Sequence, residues 1–449
     1  MTTRREVVSA LLAAGAGAPL LRLGGAGPSP LALPTADQLR WQDLELGMFV
    51  HFAPNTWQDR EYDDHSTPLS AIDPDIDTDQ WVSVAEDLGA RYVVFVAKHQ
   101  GGFCMWQTQT SQYGIRNTPW RGGKGDVMAD LAASCRRRGL GLGVYLSPRD
   151  DAFGSGGGGK CATPERQAVY DALYRQQLTE LLTRYGELVE IWFDGSVVVP
   201  VGHILRAHAP HAMVFQGPHA TIRWVGNEDG FAPYPAWNSL PERDAATGVA
   251  TARESDPDGH AWLPLEVDVS IRRPHWFWST TDEVNLLSAD ALLEIYYRSV
   301  GRGAQLLLNI PPDRTGHIAA ADAARAREFG GEVRRRFGEV VGETRGTGSA
   351  IELRLRAPAT VDHVILQEDL AAGERVRAYR LTGRSGGSWV PLSEGTAIGH
   401  KRIQPVPPAR LDAIRLEVTR SAAPPRIRRF AAFATGSTAP VSWSDPGPS

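Results

Sequence analysis

The sequence predicts an α/β protein: a (β/α)8-like barrel followed by a C-terminal all-β sandwich. Three observations carry this. From about residue 40 to 310, short apolar runs alternate with segments of helical spacing, the pattern of a parallel sheet covered by helices. The number of these units, and the length they occupy, favour a closed barrel over an open sheet. After about residue 340 the texture changes to short alternating segments separated by Gly, Pro and Ser, as in AIELRLRAPATVDHVILQEDL, RVRAYRLTG, WVPLSEG and DAIRLEVTRS, which reads as a sandwich. The predicted boundaries are 1–30 for an N-terminal signal segment, 31–338 for the barrel and 339–449 for the β-rich region.

Taken in order, the chain opens MTTRREVVSALLAAGAGAPLL. Arg4 and Arg5 precede an uncharged stretch of small and apolar residues from Val7 to Leu21, the pattern of a twin-arginine export signal. The stretch is too short and too rich in Ala and Gly for a membrane span. The first strand is expected at 46–52, and a helix from Asp79 to Leu88 is stopped by Gly89. A second strand follows at 90–99. Asp126 caps a helix that Gly139 ends. Strands at 140–148 and 187–195 flank a helix at 164–185, and GSGGGGK at 154–160 reads as a mobile loop. Further strands fall at 212–217, 262–270 and 304–310, with helices near 288–301 and 320–336.

In such barrels chemistry sits at the C-terminal ends of the strands. The polar residues there are His51, Lys98 with His99, Ser147 with Asp150, and Asp194. Asp194 is the sharpest candidate, since a carboxylate at a buried strand end is costly unless pairing or function retains it. Trp192 shares its parity along the strand and can floor the same pocket. Glu228 lies in WVGNEDGFAPYPAWNSL, where rings suited to stacking on sugar C–H faces accompany amides and acids. Glu266 and Asp268 are further acids in a strand pattern, expected to support the pocket or the fold.

Other classes are disfavoured. The 449 residues hold 47 Lys and Arg against 52 Asp and Glu, and without a long basic run nucleic acid is not an expected partner. Three cysteines are too few for a disulfide scaffold and lack metal-ligand spacing; they read as reduced core residues. There is no HExxH, P-loop or dinucleotide glycine motif and no GxSxG, so neither metal nor organic cofactor is expected.

The local motifs resemble the α-L-fucosidases of glycoside hydrolase family 29, from Trp41 to about Phe433. LGMFVHFAPNTWQDREYD resembles the first-strand segment, which implies sugar contacts from His51 and Glu61. VVFVAKHQGGFCMW resembles the second, implying contacts from His99, with Trp106 lining the site. QLTELLTRYGELVEIWFDG resembles the nucleophile strand and places that role on Asp194. RWVGNEDG resembles the acid/base loop of the subgroup acting on α-1,3/1,4-fucosyl linkages and places that role on Glu228. The resemblance implies a retaining exo-glycosidase that releases terminal L-fucose from a glycan, with His51, Glu61, His99 and Gln100 holding ring hydroxyls and Trp192 facing the apolar edge of the sugar. The chain departs from the family's His-His-Asp-Gly at His99-Gln100-Gly101-Gly102, and Tyr62 and Arg149 stand where the family has Trp. The Gln100 and Gly101 changes motivate two alternatives, a non-catalytic fucose-binding protein and a glycosidase for a related sugar. Oligomeric state is not legible in the sequence.

Overall fold

The computed structural model describes residues 31–436, so the predicted export signal lies outside the described residues. The barrel strands are β1 (Leu46–Val50), β2 (Tyr92–Lys98), β3 (Gly141–Leu146), β4 (Glu190–Trp192), β5 (Met213–Phe215) and β6 (Arg223–Trp224). A small antiparallel ribbon follows, β7 (Ser239–Leu240) with β8 (Ala261–Trp262), and then β9 (Leu265–Ser270) and β10 (Gln305–Asn309) complete the eight. Their order is β5-β4-β3-β2-β1-β10-β9-β6, every pairing in it is parallel, and a parallel bridge from Phe215 to Ile222 links the two ends. The result is a nearly closed barrel.

The covering helices start and stop where local chemistry dictates. Helix Thr78–Leu88 begins at Asp77, whose carboxylate accepts the Gln80 N–H, and Val127–Arg138 begins at Asp126, which accepts that of Ala129. These caps satisfy amides that lack intrahelical partners. Gly89 and Gly139 end the two helices at φ 92° and 70°, a left-handed conformation that glycine adopts without a Cβ clash. Helices Pro164–Arg184, Ala289–Arg298 and Ala320–Phe337 match expectation within a few residues. Helix Gly202–His208 and the two-residue β6 were not foreseen; both are too short for periodicity to register.

The glycine-rich loop after β3 is packed, contrary to the expectation of a mobile loop. Gly158 O accepts the Val198 N–H at 2.8 Å, Gly159 O accepts from the Gln167 amide at 3.0 Å, and both glycines are buried. A Cβ at Gly159 would lie 3.0 Å from both Pro148 O and the Tyr170 ring. Gly159 thus combines a close approach with a left-handed φ of 84°, and Gly154 and Gly158 share that conformation at 87° and 66°.

The C-terminal region forms one six-stranded antiparallel sheet, β11 (Gly342–Thr347), β12 (Ala350–Glu368), β13 (Val376–Ser385), β14 (Ser388–Gly395), β15 (Arg402–Ser421) and β16 (Arg426–Phe433), in the order β11-β16-β12-β15-β13-β14. The long β12 and β15 lose register between Arg354 and Ala359, where a bulge bends the pair. Val364, Leu381, Leu411, Ile414 and Phe430 are among the residues of its own core, while Ile365, Ile403, Ala431 and Phe433 join the barrel core. Tyr379 is buried there, and its hydroxyl donates to Gln404 Oε1 at 3.3 Å.

Candidate active site

A cavity of about 360 Å3 opens at the C-terminal ends of the barrel strands. Most of its lining comes from the strands other than β10 and from their exits. His51 follows β1, His99 and Gln100 follow β2, Tyr145 lies on β3, Trp192 and Asp194 belong to β4 and its exit, and Phe215 comes from β5. Trp224 and Glu228 come from β6 and the loop after it, and Asp268 from β9. Lys98, one residue before His99, points the other way, as alternation along a strand requires. Its ammonium is buried outside the barrel, 2.9 Å from Asp150 and 2.9 Å from the Gln177 oxygen. Ser147 and Asp150 therefore serve the wall, not the cavity.

Asp194 is held at one oxygen. Oδ2 accepts from the Tyr145 hydroxyl at 2.9 Å and from the Gln100 amide at 3.4 Å. Burial and the neighbouring carboxylate push the Tyr145 hydroxyl well above its usual range, so it stays a donor. The floor is aromatic. Trp192 stacks on Phe215 with ring centres 3.7 Å apart and lies 5.7 Å from Tyr145. Its indole N–H donates to Glu266 Oε1 at 2.7 Å. Glu266 is fully buried beneath that floor, where burial and Glu190 push it well above the carboxylate range. Glu266 lies outside the cavity lining and supports Trp192 from beneath, the kind of role expected of it.

His51 Nδ1 lies 2.8 Å from Asn309 Oδ1, while the Asn309 amide donates to Ser270 Oγ at 3.0 Å and to Trp276 O at 2.8 Å. Because the amide nitrogen is engaged as donor, Oδ1 must accept, so His51 carries its proton on Nδ1 and keeps Nε2 as an acceptor. Burial and the adjacent His99 hold His51 well below the usual histidine range, and burial lowers His99 to about 4. Both rings are neutral near pH 7. Glu61 accepts the Trp276 N–H at 3.0 Å, and burial, with the charge of Glu228, pushes it up to about 7. Glu228 is exposed on its loop; Arg273 holds that loop through Glu228 O and Asp229.

Of the predicted residues, Asp194, Glu228, His51, Glu61, His99, Gln100 and Trp192 come together in one cavity. Trp106 does not. It is fully buried with its indole N–H on Glu180 Oε2 at 2.9 Å, facing helix Pro164–Arg184, so its place is in the wall. Sequence reasoning missed Tyr145, Phe215, Trp224 and Trp276. Tyr145 had a signal, since it pairs in register with Trp192 and so shares its face. Gly101, the position of one departure, lies against Asp63: a Cβ there would be 2.5 Å from Asp63 Oδ2, which is fixed by the Tyr113 hydroxyl at 2.7 Å. Among the described residues no cluster of His, Cys, Asp and Glu has the arrangement to hold a metal ion, and no helix is long and apolar enough to cross a membrane.

A sugar-sized cavity at this mouth of a (β/α)8 barrel, walled by aromatic rings and lined by several carboxyl groups, defines the class as glycoside hydrolase. The comparisons with known proteins narrow it. The profile of the family described as alpha-L-fucosidase matches residues 55–335. The Alpha-L-fucosidase 1 of Arabidopsis thaliana is 31% identical over 430 residues, covering 84% of this chain and 82% of that one. A glycoside hydrolase 29 family member from an unknown rumen bacterium superposes with a TM-score of 0.82 at 30% identity, over 93% of this chain and 79% of that chain. A Ruminococcus gnavus GH29 fucosidase, solved in complex with fucose, gives 0.78 at 26% identity over 92% and 97%. The chain belongs to the α-L-fucosidase family, glycoside hydrolase family 29.

Proposed function

We propose that the protein releases terminal α-linked L-fucose from glycans by double displacement, with Asp194 as nucleophile and Glu228 as acid/base. The observation that carries this reading is Asp194 itself, placed at a strand end in the cavity that Glu228 also lines, with Oδ2 taken by Tyr145 and Gln100. In the first step an Asp194 oxygen bonds to the anomeric carbon as the bond to the leaving oxygen breaks, and Glu228 gives that oxygen its proton. In the second, water attacks the same carbon, Glu228 takes its proton, and Asp194 leaves as carboxylate. His51, Glu61, His99 and Gln100 hold ring hydroxyls, and Trp192 faces the apolar edge of the sugar.

Asp194→Ala is expected to abolish turnover of an aryl fucoside, with azide restoring it by direct displacement as a fucosyl azide of inverted configuration. Near-normal activity in that variant would overturn the nucleophile assignment. Glu228→Ala is expected to impair a fucosylated trisaccharide far more than a substrate with an activated leaving group, which needs little acid assistance. The RWVGNEDG segment supports preference for α-1,3 and α-1,4 branches, which a panel of linkage isomers tests. A fucose-binding protein without activity would bind the trisaccharide and release nothing. Arg4 and Arg5 ahead of an uncharged stretch support export through a twin-arginine route; cell fractionation with both arginines replaced by lysine tests it.

A further inference from the structure

We propose that Gln216 is a specificity-determining residue whose side-chain amide donates to an oxygen of the sugar that carries the fucose, a hydroxyl or acetamide acceptor just beyond the scissile bond. The inference rests on the reading of Asp194 as nucleophile and Glu228 as acid.

Gln216 directly follows β5 and lines the cavity, as does Phe215 before it. Alternation along a strand would send one of the two to the outer side. Gln216 escapes alternation because its backbone is left-handed, at φ 61°. That conformation is strained for a residue with a side chain and persists only where the surroundings over-determine it, commonly at functional sites. Here they do. Gly217 N donates to Gly248 O at 2.9 Å, and a Cβ at Gly248 would lie 2.1 Å from Gly217 O. The neighbouring exit of β4 is bent in the same way. Gly195 and Ser196 have φ 74° and 93°, and Val198 N donates to Gly158 O at 2.8 Å. One bond joins the two turns, from Gly195 N to Gln216 Oε1 at 2.6 Å.

That bond decides how the amide is turned. A backbone N–H can only donate, so the Gln216 oxygen must face Gly195 and the NH2 group turns away from it. Among the described residues the NH2 group has no partner, so its protons are open to a ligand in the cavity. Position then selects the ligand. β5 stands between β4 and β6 around the barrel, hence between the exits that bring Asp194 and Glu228 to the bond to be broken. Gly195 and Glu228 are exposed and Gln216 is half-buried, whereas His51 and His99, from the exits of β1 and β2, are buried. A terminal sugar therefore fills the end closed by the histidines. The sugar it leaves passes the open rim where Gln216 stands.

The test compares kcat/KM for a fucosylated trisaccharide with that for an aryl fucoside, which lacks the second sugar. Gln216→Glu keeps an oxygen for Gly195 and loses the donor. The ratio of the two constants, each read at the variant's own pH optimum, is expected to fall about tenfold, the usual scale of one hydrogen bond. Inhibition by the defucosylated disaccharide is expected to weaken by a similar factor, with inhibition by L-fucose unchanged. Gln216→Gly suits the left-handed backbone and repeats the measurement should the Glu variant fail to fold. A merely structural role lowers both constants together, so an unchanged ratio in a variant of normal melting temperature overturns the inference. Weaker inhibition by fucose in place of the disaccharide overturns it too, since the amide would then serve the terminal sugar. The two readings fail separately: wild type that releases fucose from neither substrate sinks the proposed activity, whereas release from both with an unchanged ratio in the variants sinks only this inference.

Discussion

A tryptophan can bury its ring in a wall as readily as in a binding site, and its indole N–H then decides what the surroundings must supply. Trp106, Trp192 and Trp224 each meet a carboxylate, Glu180, Glu266 and Asp268 respectively, yet only the last two line the cavity. The resemblance placed Trp106 in the site because motif position carries no information about which side of a strand exit faces inward. A direct prediction follows from its actual position. Trp106→Phe leaves the buried Glu180 oxygen without its indole donor, so the variant is expected to lose about 1–3 kcal/mol of stability while KM for an aryl fucoside stays unchanged. Thermal melts and steady-state kinetics check both, and a raised KM would return Trp106 to the site. Asp194, by contrast, was legible from sequence because a charge after an apolar strand is an anomaly in physical terms. Glu61 was not legible that way. Its burial depends on Trp276, far along the chain, and only the family resemblance pointed to it.

Among elements, long ones were read well and short ones poorly. Helix Thr78–Leu88 has a side-chain cap and a terminal glycine, both visible in sequence, whereas β6 owes its existence to pairing with β9 and has no local signature. The exit of β2 illustrates what such tertiary determination costs. Lys98 is fully buried and spans from Asp150 after β3 to Gln177 on helix Pro164–Arg184, with the Tyr174 ring 5.3 Å from its ammonium. Asp150 in turn accepts the Phe153 N–H at 2.9 Å, so the ion pair pins the start of the glycine-rich loop. Lys98→Met conserves the stem but strands a buried carboxylate, and is expected to destabilise the protein by about 3–5 kcal/mol. Replacing Asp150 by Asn as well should restore part of that loss, because the stranded charge goes with it. Chemical denaturation of the single and double variants measures the difference; equal stabilities for Lys98→Met and wild type would mean that the pair contributes nothing net.

At the scale of the whole molecule, the β-rich region braces the barrel through polar contacts as well as shared core. Tyr297 Oη meets His363 Nε2 at 2.9 Å, and His400 Nε2 meets Asp43 Oδ1 at 2.9 Å. Glu374, just before β13, takes the Asn238 N–H at 3.0 Å and the Asn238 amide at 2.7 Å. Burial, with the neighbouring charge of Glu368, pushes Glu374 up to about 7 from an ordinary 4.5. A carboxyl whose pKa rises on folding binds more protons in the folded state between those two values, so its contribution to stability falls as pH climbs through that window. Below about 4.5 the group is protonated in both states and its contribution is fully present; above about 7 it is ionised in both and the loss is complete. Glu374→Gln cannot ionise. The stability of wild type relative to this variant is therefore expected to shrink steadily from pH 4.5 to 7 and to be flat beyond. Comparing the melting-temperature difference at pH 5 and pH 8 tests this, and a difference that grows with pH would mean that the Asn238 donors outweigh burial and that Glu374 joins barrel to sheet as an anion.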